Sequence, residues 1–257
     1  MSELQGLVDD LVAGNHILYH QQVVDGYGHL SFRSPSNPLR FYMAAAVSPG
    51  RVTADDVIEL DLDGEITSAD RSRPTYSERF IHAEVYRARP EINSVLHSHS
   101  PTVIPFGVTT VPLKPVASSG SFLFPNPPIF DTSNVPEATS VLVNKPVIGK
   151  ALVDILGQNN VVLMRGHGNT VVGRNVRETV SRGIYTELNA RLLLQALALG
   201  GPITYVKESE AKAMRSTTIE TVHGSSHGID RIWYMWTDEV AESIERAARL
   251  RRTAAAD

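Results

Sequence analysis

The sequence predicts one α/β domain built on a layered sheet. Two observations carry this: short apolar runs of strand length alternate with helical periodicity along the whole chain, and no change of composition marks a linker or a repeat. The 257 residues, 42% of them hydrophobic, suffice for one large domain or two small ones with a well-buried core. The single-domain reading spans residues 1–257, with a helical extension from about residue 207.

Leu4, Leu7, Val8, Leu11, Val12 and Leu18 recur at helical spacing and predict an opening amphipathic helix, broken at Gly26-Tyr27-Gly28. His16 and His20, one turn apart, read as part of its polar face. Strands are expected at His29–Arg33, at Arg40–Ala44 and at Val57–Leu62, the last ending in the turn Asp63-Gly64. Thr75-Tyr76-Ser77-Glu78 fits a capping box and predicts a helix to about Arg89, stopped by Pro90. Ile92–Leu96 and Val161–Met164 read as short buried strands. Between them, Pro112–Lys145 is rich in Pro, Ser, Gly and Asn, and its length suits a mobile region or a loop over a site. Pro146–Leu156 is expected to be helical, with proline in the first turn. A long helix starts at Asn175, carries Val176, Val180, Ile184, Leu188 and Leu192 on one stripe, and ends at Gly200-Gly201-Pro202. Further helices are expected at Glu208–Thr221 and from Thr237 onward.

Bulk properties exclude several classes. With no cysteine there are no disulfides, thiolate ligands or cysteine nucleophile. A net charge of -4 gives no footprint for nucleic acid. Arg246, Arg249, Arg251 and Arg252 read as solvated side chains suited to a helix C-terminus. The apolar run Leu192–Leu199 is interrupted by Gln195 and too short for a bilayer. No secretory leader is apparent at the start of the sequence. The expected setting is cytoplasmic, with neither nucleic acid nor membrane as partner.

Chemistry gathers around histidine. In a strand, side chains two apart share a face, so His97 and His99 in Leu96-His97-Ser98-His99 can converge on one ion. His167, in Arg165-Gly166-His167-Gly168 after the second strand, can close a triangle that leaves a coordination position open. The alternative for each is a hydrogen-bonded core or loop histidine. Glu78 has two readings, a fourth ligand or acid/base beside the ion, or a residue that only caps its helix. Arg165 offers a planar match to a carboxylate, or is a surface residue beside a turn. His223 and His227 lie among glycine and serine and read as exposed loop residues, while packing accounts for Tyr185 and Tyr205.

Ser77-Glu78, His82-Ala83, Tyr86, Arg89-Pro90, His97-Ser98-His99 and Arg165-Gly166-His167-Gly168 together resemble the signature of the class II aldolase/adducin family, in order and spacing from about Leu4 to Leu199. The resemblance implies a three-layer α/β/α fold with a central mixed, largely antiparallel sheet. It implies a homo-oligomer, often a tetramer, and one divalent metal ion (Zn, Mn, Fe or Co) on His97, His99 and His167, with Glu78 as ligand or acid/base. Sugar-phosphate aldolases of the family show a Gly-Asn pair, a Thr-Pro-Ser-Gly-like turn and Ser-Ser-Glu around the substrate phosphate. Here these segments read Gly28-His29-Leu30-Ser31, Val47-Ser48-Pro49-Gly50 and Tyr76-Ser77-Glu78, with fewer phosphate donors. Gly-His-x-Ser with Arg-Gly-His-Gly is instead similar to the family's decarboxylases of dihydroxyphthalate or hydroxymethylpyridine-dicarboxylate type. The expectation is a metal-dependent decarboxylase of a hydroxylated aromatic (di)carboxylic acid. Glu78 is catalytic in this reading, and His29, Ser31 and Arg165 bind the small-molecule carboxylate substrate. An aldolase or epimerase on a small hydroxy-carbonyl compound is the second reading, and a non-catalytic adducin-like interaction module the third.

Overall fold

The computed structural model describes residues 2–219 and 227–254. Helix α1 (Glu3–His20) starts where Ser2 Oγ accepts from the Gln5 N–H. Strands β1 (His29–Arg33), β2 (Arg40–Ala44) and β3 (Val57–Asp61) form a meander. Then come α2 (Arg79–Ala88), β4 (Ser94–Ser98), the single turn α3 (Ile104–Gly107), the two-residue strand β5 (Ile129–Phe130) and α4 (Pro146–Leu156). Strands β6 (Val161–Met164) and β7 (Gly168–Gly173) precede the long α5 (Val176–Ala198), whose first turn is capped by the Asn175 side chain on Glu178 N. Helices α6 (Glu208–Ile219) and α7 (His227–Ala254) follow.

The seven strands form an open sheet in the order β3-β2-β1-β4-β7-β6-β5, antiparallel throughout except where β5 joins β6 in parallel. Alternate strand residues feed two cores, as the pleat requires. Leu30, Phe32, Leu96, Leu163 and Val171 face α1, α5 and α7, where Leu11, Leu18, Val180, Trp233 and Trp236 meet them. Val95, Val162 and Val172 face the opposite way, among Ile81, Val85 and Leu152 of α2 and α4. The result is the predicted three-layer α/β/α arrangement with a mixed, mainly antiparallel sheet.

Several local expectations change. Helix α2 opens at Arg79 rather than at Thr75, and Glu78 sits at its N-cap position without bonding a helix amide through its side chain. The capping box is therefore absent, and the carboxylate is free for another role. The expected strand 92–96 is shifted to 94–98, because Ile92 N closes a turn on Arg89 O after the helix. Strand β7, with glycine at both ends and polar Asn169 and Thr170, shows no long apolar run, and β5 is only two residues long, so neither was expected. The segment 112–145 is a continuous path that supplies β5 and several short turns. Helix α7 begins at His227, ten residues before the expected start.

Two polar residues read as solvated are structural. His16 is buried, its Nδ1 2.9 Å from Ser243 Oγ on α7 and its Nε2 2.9 Å from the Val52 carbonyl. Arg251 bonds the buried Asp56 at 2.7 Å, opposite Arg73 at 3.0 Å. Among the described residues, no helix is long and apolar enough to cross a membrane.

Candidate metal centre

Four residues from three places in the chain meet at one point. His97 lies in β4 on the face shared with Val95, toward α2. His99 lies just past the strand end, and Glu78 approaches from the start of α2. His167 occupies the turn between β6 and β7, and the glycines on either side make that turn possible. Gly166 adopts φ +66°, a conformation costly for any residue with a Cβ. A Cβ at Gly168 would lie 2.0 Å from the Ser98 carbonyl oxygen, so the two ligand-bearing strands can approach only with glycine there. The motif Gly-His-Gly is thus a packing requirement that delivers a ligand.

His97 Nε2 lies 3.1 Å from His99 Nε2, which lies 3.0 Å from His167 Nε2. Glu78 Oε2 is 3.5 Å from His97 Nε2 and 3.4 Å from His167 Nε2. One ion held at about 2.1 Å by each nitrogen requires separations of roughly 3.0–3.4 Å between them, for ligand angles between octahedral and tetrahedral. The His97 Nδ1–H donates to the Asn169 carbonyl at 3.2 Å, so its Nε2 lone pair points into the centre. Lone pairs of neighbouring imidazoles facing one another repel unless a cation lies between them. The donor set therefore fits a divalent metal.

Electrostatics supports the same fit. Burial alone would raise the Glu78 pKa, but the hydrogen bond with His167 and the charges of His97 and His167 outweigh it and hold the group at about 2. Burial pushes His97 down to about 3, and lowers His99, with His167 adding to the effect. The site thus offers an ionised Glu78 beside His97 and His99 whose burial favours the neutral imidazole, the protonation state that metal ligation needs.

Supporting contacts come from residues the sequence did not single out. The Val143 N–H donates to Glu78 Oε1 at 2.8 Å, so the 112–145 segment holds the carboxylate and leaves Oε2 to the histidines. Glu187 of α5, buried, accepts from the Ser100 hydroxyl and from the Thr102 hydroxyl and N–H, fixing the turn after His99. A cavity of about 640 Å³ reaches His99 between α1 and α7, past Tyr19, Asp25, Pro101 and Val240.

The expected substrate contacts divide three ways. His29 pairs in register with His97 across β1 and β4 and shares its face, the two rings 5.1 Å apart. Burial, followed by the charge of His82, holds its pKa well below the ordinary value. Ser31 lies on the same face but is fully buried, its hydroxyl 2.6 Å from His82 Nδ1 and 2.7 Å from the Tyr86 hydroxyl. It is spent on other side chains, because the next position toward the centre on β1 is taken by His29. Arg165 stands outside the cluster, its guanidinium paired with Asp131 at 2.6 Å and half exposed. Tyr185 packs near Trp236 and Tyr205 lies under Lys114, both as packing predicted. His223 and the side chain of His227 fall outside the described residues.

Comparison with known proteins agrees with this geometry. The profile of the Class II Aldolase and Adducin N-terminal domain matches residues 9–194. The chain is 32% identical over 255 residues to the decarboxylase tropJ of Talaromyces stipitatus, covering 91% of this chain and 93% of that protein. It is 28% identical over 228 residues to a 3,4-dihydroxyphthalate decarboxylase of Arthrobacter keyseri, covering 86% and 91%. Among solved structures, an aldolase II superfamily protein from Pseudomonas syringae superposes with a TM-score of 0.77 over 95% of both chains at 19% identity.

Proposed function

Because the chain belongs to the class II aldolase and adducin family, we propose that it is a metal-dependent lyase that decarboxylates a hydroxylated aromatic (di)carboxylic acid such as a dihydroxyphthalate. The observation that carries the reading is the convergence of Glu78 and three histidine Nε2 atoms beside a fourth histidine, His29, whose Nε2 bonds no group among the described residues. The likeness to two decarboxylases over most of the chain supports the reaction type.

A divalent ion on His97, His99 and His167 would supply a Lewis acid for ring hydroxyl and carboxylate oxygens. The protein's own groups do the rest. Glu78, ionised when substrate arrives, takes the proton of a ring hydroxyl and returns it to the ring carbon that bears the carboxylate. That protonation suspends aromaticity. The bond to the carboxylate then breaks, its electron pair restores the ring, and carbon dioxide leaves. His29 faces the carboxylate from β1. Ser31 acts on it only through His82, and Arg165 serves as a guide at the rim once its pair with Asp131 opens. The 112–145 segment, already fastened to Glu78 through Val143, excludes water from the reacting carbon. Four copies of the chain form the working assembly in this reading, which light scattering measures.

The test is turnover by the purified protein of 3,4-dihydroxyphthalate and of sugar phosphates, with Zn, Mn, Fe and Co supplied singly and bound metal measured by elemental analysis. Release of carbon dioxide with one of these metals is the expected result. Cleavage of a sugar phosphate alone would overturn the decarboxylase reading in favour of an aldolase. Absence of both metal and turnover would leave an interaction module.

A further inference from the structure

Behind the metal centre runs a line of four buried side chains. Tyr86 Oη is 2.7 Å from Ser31 Oγ, Ser31 Oγ is 2.6 Å from His82 Nδ1, and His82 Nε2 is 2.6 Å from His29 Nδ1. All four residues are buried, and His82 and Ser31 are completely so. A neutral imidazole carries one ring proton, so the two links at His82 share one direction, while the Ser31 hydroxyl has a single proton to give.

The far end decides which way. If Ser31 donated to Tyr86, the phenolic proton would need another acceptor, and none bonds it among the described residues. A buried donor left without an acceptor costs more than the line gains. Tyr86 therefore donates to Ser31, the Ser31 proton then has only His82 Nδ1 to accept it among the described residues, and the His82 Nε2–H donates to His29 Nδ1. At His29 only Nε2 remains to carry the ring proton, and among the described residues no group bonds that nitrogen. Its ring lies 5.1 Å from that of His97.

We infer that His82, with Ser31 and Tyr86 behind it, is a positioning residue that fixes His29 as its Nε2–H tautomer, so that His29 presents a hydrogen-bond donor to an anionic oxygen beside the metal centre. The polarity follows from the line alone; that the oxygen belongs to the departing carboxylate rests on the proposed function. The arrangement mirrors His97, whose Nδ1 donates to a carbonyl so that Nε2 offers a lone pair. Neighbouring strands thus set two adjacent imidazoles to opposite tasks, one an acceptor for a cation and the other a donor to an anion.

Long-range proton–nitrogen NMR on the zinc-loaded, histidine-labelled protein reads the tautomers without turnover. A protonated Nε2 and bare Nδ1 at His29 are expected, and a protonated Nδ1 would overturn the inference. Binding then tests the purpose, with 2,3-dihydroxybenzoate and catechol as probes that differ by one carboxylate. His82→Leu should weaken the benzoate by about tenfold or more, the usual worth of a hydrogen bond to a charged group, and leave catechol unchanged. His82→Gln should restore the benzoate, since its amide can accept from Ser31 and donate to His29 together. Equal weakening of both probes by His82→Leu, with no rescue by His82→Gln, would mean that His82 only packs. If neither probe binds the unaltered protein, the substrate assignment fails, while the NMR result still decides the polarity.

Discussion

The two histidine groups on the α2 side of the sheet are built from the same side chain and do opposite things. In the first, three Nε2 atoms and a carboxylate face one another with no proton assigned between them. In the second, His29 and His82 are joined nitrogen to nitrogen at 2.6 Å by a single proton. His97 in the first group and both members of the second are buried and held neutral by that burial. What separates them is the partner of the other ring nitrogen: a backbone carbonyl frees Nε2 of His97 as an acceptor, and a serine hydroxyl makes His82 a donor through Nε2. The fate of a buried histidine is set one bond away from its functional nitrogen.

The contrast breaks most completely at a ligand. His97→Ala should lose the metal and lower turnover by more than about 100-fold, beyond the effect usual for outer contacts; full activity in this variant would refute the centre. Glu78→Gln is the milder probe, because its amide oxygen can still accept from Val143. Chelator competition should show metal affinity lowered by about 10- to 100-fold, and an unchanged affinity would remove Glu78 from the ligand set.

Stability against pH probes the second group. His82 is held at about 3, mainly by burial, against an ordinary value of 6.5. Below pH 6.5 the unfolded chain takes up a proton that the folded protein refuses, so stability falls as pH drops through this window toward 3. The contribution is about 1.4 kcal/mol per pH unit, or about 2 kcal/mol between pH 6.5 and 5. Urea midpoints of the metal-free protein should therefore fall less steeply in His82→Gln, and parallel pH profiles would deny that His82 is neutral in the fold. The smallest effect belongs to Arg165→Met. Its exposed pair with Asp131 should leave the thermal midpoint unchanged, and a clear loss would show that Arg165 is part of the architecture rather than the rim.

Much of the centre could be read from sequence because its geometry is local. The separation of His97 and His99 by two residues is a strand period, and Gly-His-Gly marks a turn whose backbone cannot carry side chains. Apolar runs located β1, β2 and β6, and cap and stop signals located α4 and α5. What escaped depends on partners far along the chain. Glu78 looked like a helix cap because Thr75–Glu78 has the spacing of one, and only the approach of Val143 and the histidines turns its carboxylate inward. Strand β7 lacks an apolar run because it must admit Ser98 closely at Gly168 and pair Thr170 with His97. His16 had the spacing of a polar helix face, but its partner lies more than two hundred residues away on α7. Ser31 lies on the expected face, but no spacing rule shows that its hydroxyl already bonds His82 and Tyr86.

The seating of α7 sets the order in which the protein can be made. Trp233, Trp236 and Val240 complete the core begun by Leu11 and Leu18, and Arg251 reaches back to the buried Asp56. During synthesis these earlier residues leave the ribosome long before the groups that cover them. The nascent chain therefore carries an uncovered apolar face on α1, and an acid met by Thr53 and Arg73 but not yet by Arg251, until residues 227–254 emerge, and one face of the sheet closes only after translation has passed them.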